Sequence, residues 1–245
     1  ILPVTPRALR PGIVQNCIRR SEFWSNLNIL FLTENMRLMN DEKNRRYGQW
    51  VRDFSYDPIS RDMVSLPQEI TLQFDQEDRF YQQVFPSAQM KDQNKPDNFF
   101  LERAILAPHH SSVNMANEKI LNNLPGSIVD LHSVDSAIET GEFGAIELTI
   151  EYLASLNPAS LPPSHLKLKI GAPVMSIRYL YPSEGLCNST RGIIKDIRPH
   201  CIKLKIVGLS FDGNVHAIPR IAPTSNSGEE QWIIRRKQFP VRLCF

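Results

Sequence analysis

Leu166-Lys167-Leu168-Lys169-Ile170-Gly171-Ala172-Pro173-Val174-Met175 is the stretch that decides the fold. Apolar and basic residues alternate over its first five positions, the period of a strand with one buried face. That period sets Lys167 and Lys169 on one side and Leu166, Leu168 and Ile170 on the other. Gly171-Ala172-Pro173 interrupts the pattern, and residues 174–180 resume it. Residues 192–197, 202–207 and 215–218 follow at short spacing, with Asp212-Gly213-Asn214 as one of the turns between them. Residues 232–234 and 241–245 add two more apolar runs. Short strands at such intervals predict a small antiparallel barrel.

Upstream the grammar differs. Residues 1–4 read as the end of a buried strand, and residues 27–32 form an apolar run of the same type. Between them Ile13, Val14, Cys17 and Ile18 recur as one face of a short helix after Pro11-Gly12. Strand, helix, strand is the order of a parallel α/β sheet. Residues 41–54 predict a helix with Tyr47, Trp50, Val51 and Phe54 on one face. Residues 55–98 are polar, acidic and broken by Pro58, Pro67, Pro86 and Pro96, which predicts a connector with a short helix near residues 77–84. Residues 103–108 predict another buried strand. After a turn at residues 109–112 comes a helix over 113–123, capped by Ser112, with Val113, Ala116, Ile120 and Leu121 inward.

Composition narrows the class. The chain has 245 residues, 42% hydrophobic and 22% charged, which excludes collagen-like, coiled-coil and disordered chains. No run approaches 18 apolar residues, so no helix is expected to span a membrane. Cys17, Cys187, Cys201 and Cys244 lie far apart without ligand spacing, so reduced thiols are expected rather than a metal site. The net charge of +2 conceals a pattern. Residues 1–50 carry 8 Lys/Arg against 4 Asp/Glu, residues 51–150 carry 7 against 16, and residues 151–245 carry 13 against 6. A basic last third suits a phosphate backbone and equally a solvated β-surface.

Several stretches, in order, resemble the Pif family (petite integration frequency) of DNA helicases, in particular its Helitron-like branch. They are Leu32-Thr33-Glu34-Asn35-Met36-Arg37, then Arg103-Ala104-Ile105-Leu106-Ala107-Pro108 with Leu124-Pro125-Gly126 after the helix. Next come Leu156-Asn157-Pro158, Leu161-Pro162-Pro163, the alternating strand quoted above, Gly185-Leu186-Cys187-Asn188 and Thr190-Arg191-Gly192. Ile218-Pro219-Arg220-Ile221 and the run from Arg235 to Leu243 complete the set.

The resemblance implies an α/β protein: partial RecA-like P-loop NTPase domains (end of 1A, start of 2A) with an inserted SH3-like β-barrel, the 2B domain. Residues 1–54 would be the C-terminal part of 1A, 55–98 a polar acidic connector and 99–150 the N-terminal part of 2A. Residues 151–222 would be 2B, and 223–245 the return into 2A. The chain opens and closes inside strand patterns, so a central segment of a longer motor is expected. The implied activity is ATP-dependent 5′ to 3′ translocation on single-stranded DNA with unwinding at duplex junctions, in repair, recombination, telomere maintenance or Helitron transposition. ATP and Mg²⁺ belong to the intact enzyme, and the expected protein is a nuclear monomer, with the mitochondrion as the alternative, that binds no membrane.

Site residues follow from the same resemblance. Arg37 falls on the motif-four arginine that reaches the γ-phosphate, a role suited to a guanidinium's spread charge. Its alternative is to cap a strand or pair with Glu34. His109 stands where the family has a backbone-touching threonine, and imidazole can donate to phosphate instead. Asn117 matches a family position, with a plain surface amide as the alternative. Lys167, Lys169, Arg178, Arg191 and Arg220 are the implied DNA-facing cations of 2B. Asn188-Ser189 replaces an Asn-Gly turn; a serine held left-handed there would cost about 1 kcal/mol, so either a strained turn or a different turn is expected. Two further readings remain: a non-catalytic nucleic-acid-binding remnant of a transposon helicase, and an unrelated β-barrel interaction module.

No G-x-x-x-x-G-K-[ST] occurs in the 245 residues, so no loop is present to cradle phosphates. The chain alone is therefore expected not to hydrolyse ATP. Phosphate release with single-stranded DNA should match a no-protein control, and clear turnover above it would refute the expectation.

Overall fold

Alternation becomes pairing in a computed structural model, which describes residues 5, 8–33, 38, 41–56, 64–71, 77–92, 95–139, 148–158, 160–225 and 232–245. The chain forms two units, residues 1–72 and 73–245.

Among its described residues the first unit holds two α-helices, α1 (Arg10–Gln15) and α2 (Glu42–Tyr56). On α2 the expected face forms: Tyr47 stacks on Trp50 at 6.0 Å and Trp50 on Phe54 at 5.7 Å. The strand expected at residues 27–32 does not form. This segment is extended, and Leu30, Phe31 and Leu32 are exposed by 87%, 81% and 101%. A strand exists only against a neighbour that takes up its backbone groups, and no described residue of this unit is in a strand. Residues 1–4 lie outside the described residues.

The second unit contains α3 (Glu77–Val84), α4 (Ser87–Lys91), α5 (His110–Asn123) and α6 (Ile150–Ser155). Its strands are β1 (Val129–His132), β2 (Val134–Glu139), β3 (His165–Leu168), β4 (Pro173–Ser176) and β5 (Arg191–Ile197). Then come β6 (Cys201–Ile206), β7 (Val215–Pro219), β8 (Trp232–Lys237) and β9 (Val241–Leu243). A five-stranded antiparallel sheet runs β7-β6-β5-β4-β9, while β1 pairs with β3 and β2 with β8. The β1–β3 ribbon covers the sheet: Leu131, Leu166 and Leu168 share one core with Val174, Ile194, Ile202, Leu204, Ile218 and Phe239. The barrel expected from the short strands is thus present, built on the inward faces of the alternating residues.

A second core is aromatic. Phe85 meets Phe245 edge-on at 5.9 Å, and Phe100 meets Phe245 at 5.7 Å. Ile120 and Leu121 of α5 join them. Tyr81, Phe85, Met90, Phe99 and Phe100 therefore pack as core. Asp97 ties this region to the barrel, accepting from Lys195 Nζ at 2.8 Å and Lys205 Nζ at 2.6 Å. Those two hydrogen bonds hold its carboxyl below the ordinary carboxylate range.

Three local expectations need correction. Residues 103–108 form no strand; the Ile105 amide donates to the Phe245 carbonyl at 3.3 Å, and Leu106 is 92% exposed. Helix α5 starts two residues before the expected Ser112 cap, so His109 is its N-cap and makes no side-chain capping bond. The alternation of β3 fails after Leu168: Lys169 is buried and Ile170 exposed. The strand ends there because the chain turns at Gly171, whose φ is +85°.

Of the two turns open at Asn188-Ser189, the left-handed one forms. Ser189 has φ of 68°, the one positive φ outside glycine among the described residues. Its side chain is exposed and makes no hydrogen bond among them. Ser189→Gly should then remove the Cβ clash of the left-handed conformation without losing a contact, raising stability by about 1 kcal/mol. Urea unfolding monitored by circular dichroism measures it; a destabilised variant would show that the turn is not strained.

Candidate nucleic-acid interface

A groove of about 370 Å³ lies between α5 and the strands β3 and β9. Helix geometry supplies one wall, because positions i, i+4 and i+8 share a face. Those positions are His110, Asn114 and Glu118. Strand geometry supplies the other: His165 and Lys167 are two apart on β3 and point the same way. Asn117 of α5, Asn157, Ser164 and Arg242 of β9 complete the polar lining.

The electrostatics centre on one pair. Lys167 Nζ lies 2.8 Å from Glu118 Oε1, with both side chains substantially exposed. The hydrogen bond and attraction between them raise the Lys167 pKa and lower that of Glu118. His165 Nε2 sits 3.0 Å from Asp130 Oδ1, and its ring stacks on His132 at 4.6 Å. Arg242 donates from Nη2 to the Leu161 carbonyl at 2.6 Å. Burial lowers its pKa, but a guanidinium remains charged at neutral pH. The groove thus offers imidazole, amide, ammonium and guanidinium donors, the set that holds phosphate oxygens.

Of the site residues singled out in the sequence, Lys167 and Asn117 line this groove. His109 is exposed, immediately before His110. Asn117 is buried: its Nδ2 donates to the Leu243 carbonyl at 3.2 Å, and its Oδ1 accepts from the Phe245 amide at 3.1 Å. Lys169 is drawn inward to the Leu124 carbonyl at 2.5 Å, and burial lowers its pKa. Its expected place beside Lys167 on an open face is corrected accordingly. Arg178 donates to the Ser160 carbonyl at 2.8 Å. Arg191 donates to Phe100 and Cys244 carbonyls at 2.7 and 3.0 Å. Arg220 bonds the carbonyls of Pro199 and His132 and Gln238 Oε1. Arg37 lies outside the described residues.

His110, Asn114, His165 and Arg242 escaped the sequence reading. The i, i+4 spacing of His110 and Asn114 and the period-two spacing of His165 and Lys167 were the available signals.

Comparison with known proteins finds likeness along parts of the chain. Residues 151–197 match the model for "DNA helicase Pif1, 2B domain", and residues 1–58 match "PIF1-like helicase". The mouse (Mus musculus) ATP-dependent DNA helicase PIF1 is 34% identical over 153 residues, 57% of this chain and 19% of that protein. The rat (Rattus norvegicus) protein is 36% identical over 152 residues, 57% of this chain and 20% of its own length. Over these stretches the chain is similar to Pif1 helicases. It spans about a fifth of the length of those curated relatives. The crystal structure of Pif1 helicase from Candida albicans superposes with a TM-score of 0.52 at 19% identity, over 92% of this chain and 48% of that one. The fold class is thereby the expected one, partial RecA-like α/β domains with a 2B barrel. The 2B match takes in α6, β3, β4 and β5, and hence Lys167.

Glu118 competes with any anion for Lys167. Glu118→Gln should free the ammonium and remove a like charge, tightening single-stranded DNA binding a few-fold at low salt. Fluorescence anisotropy reads the change; weaker binding would mean the carboxylate orients Lys167 productively.

Proposed function

We propose that this chain is the DNA-gripping central part of an ATP-dependent helicase that moves 5′ to 3′ on single-stranded DNA and unwinds duplex junctions. The observation that carries the proposal is the placement of Lys167. It lies within the 2B-domain match and lines a groove whose other wall is α5. A backbone in that groove would meet Lys167 in exchange for Glu118, with His110, Asn114 and Arg242 as further donors. His109, at the mouth of α5, would stand in for the family's threonine.

Domain roles follow the sequence reading: residues 1–54 in 1A, 55–98 as connector, 99–150 and 223–245 in 2A, 151–222 as 2B. Strand β9 pairs with β4, and Lys119 of α5 reaches Glu77 and Asp78 of α3, so these segments share cores across those bounds. Arg37 is proposed to approach a γ-phosphate. ATP and Mg²⁺ would be held elsewhere in the longer protein. The residues here do not fit them, having no phosphate-cradling loop in the sequence and no cluster of metal ligands among the described residues. A monomer acting in the nucleus or mitochondrion, in repair, recombination, telomere maintenance or Helitron transposition, is the accompanying proposal. A non-catalytic remnant is the second reading, favoured by His109 and by the uncorrected strain at Ser189.

Binding of the purified chain to fluorescent single-stranded DNA across a salt series tests the grip. Affinity should fall steeply with salt. Lys167→Ala should weaken binding several-fold and reduce the slope of log K on log salt by about 0.7, one single-strand phosphate contact. An unchanged slope would remove Lys167 from the interface.

A further inference from the structure

A second groove lies on the far side of the β1–β3 ribbon. Its walls are β1, the β5–β6 turn and the edge of β8, and its volume is about 520 Å³. The ribbon register places Asp130 opposite Lys167 and His132 opposite His165. The first groove therefore touches β3, this one touches β1, and the His132–His165 stack sits between.

The cations here are arranged differently from those already described. Arg198, Pro199, His200 and Cys201 form a tight turn closed by the Arg198 amide on the Cys201 carbonyl at 2.9 Å. That turn presents Arg198 and His200, both exposed. Arg220 forms the floor and ties three elements together: Nε to the Pro199 carbonyl at 2.9 Å, Nη1 to the His132 carbonyl at 2.6 Å and to Gln238 Oε1 at 3.0 Å. Its Cζ lies 4.7 Å from the Phe239 ring centre, and its Nη2 has no hydrogen-bond partner among the described residues. Lys237 is exposed on β8 and likewise unpaired among them. Arg235 lies two residues back on the same strand face, about 6.8 Å along at antiparallel rise. One carboxylate lines the groove, Asp130, and its Oδ1 already faces His165. Asp196 takes only the Nε of Arg198, at 2.9 Å.

We propose that this groove is a second phosphodiester-binding site, in which Arg198, His200, Arg220 and Lys237 take the backbone of a nucleic acid. Cations strung from a turn along a strand edge suit a chain of phosphates rather than one small anion. The remaining lining is aliphatic (Val129, Leu131, Val134, Ile197) and contains no aromatic ring for a base to stack on. Contact is therefore with the backbone, without sequence preference. The site requires that this part of the chain meet nucleic acid, but it does not depend on the α5 groove.

The test measures binding of the 245-residue chain to a 20-nucleotide single strand and to a hairpin duplex over a salt series. Arg198→Gln with Lys237→Gln should reduce the slope of log K on log salt by about 1.4 for the single strand or 1.8 for the duplex, at two contacts. Arg198→Lys with Lys237→Arg should restore it. A loss confined to one arm identifies whether the groove takes the single strand or the duplex, and either supports the site. Slopes unchanged in both arms, or no binding by the parent chain, would overturn it. If Lys167→Ala is silent while the double variant acts, the α5 groove fails and this one stands. Should the double variant not fold, Lys237→Gln alone carries the test at half the decrement.

Discussion

Everything in the larger unit depends on Arg236, a fully buried guanidinium. Its Nε and Nη2 clasp Asp135 at 2.8–3.0 Å, Nη2 also reaches the carbonyls of Leu153 and Leu156, and Nη1 reaches that of Pro162. Asp135 is almost as buried, at 2%. Removing one partner from such a pair strands a charge in a low dielectric and costs about 3–5 kcal/mol. The geometry also solves a backbone problem. Helix α6 has six residues, so its last carbonyls lack intrahelical partners. A cation at the helix C-terminus satisfies them and suits the local dipole. One side chain thus joins β8 to β2 and holds the chain that leads into β3.

The same economy explains why so many cations face inward. Arg178, Arg191, Arg220 and Lys169 each end on backbone carbonyls where strands stop or loops cross. Barrels of short strands create many such carbonyls, and water cannot reach all of them. A guanidinium's planar fork of donors can satisfy several at once. Lys167 is different. Its one partner is an exposed carboxylate, a weak pair in water that a phosphate can displace.

This contrast marks what was legible in the sequence. Period-two alternation located the barrel strands, and helical spacing located α2, α3 and α5 to within a few residues, because those signals record burial directly. Ser189 was legible only as a choice between a strained turn and a different one, since the sequence shows that glycine is missing but not how the backbone responds. The strand expected at residues 27–32 was not realised: its apolar run reports a need for neighbours, which a single segment cannot supply. Lys169 failed because alternation assumes that the strand continues, and nothing local announces the turn at Gly171. Arg236 and Asp135 went unremarked since they are 101 residues apart, and their pairing exists only once β2 and β8 are in register.

The basic last third also has to be reconsidered in these terms. Its 13 cations against 6 acids give the charge available in principle, but a counterion is released only by a cation that can leave its present partner. Lys195 and Lys205 are committed to Asp97, Arg236 to Asp135, and Arg191 to carbonyls beneath the barrel. Among the cations less firmly held, Lys167 lies on one flank of the β1–β3 ribbon and Arg198 and Lys237 on the other. The ribbon pairs antiparallel over four positions, and its two histidines stack across its end. A backbone crossing that end would pass from one flank to the other without meeting an unpaired carboxylate among the lining residues. Two grooves on one thin rib therefore make a geometric unit, and their separation is set by the strand pairing rather than by loops that could drift.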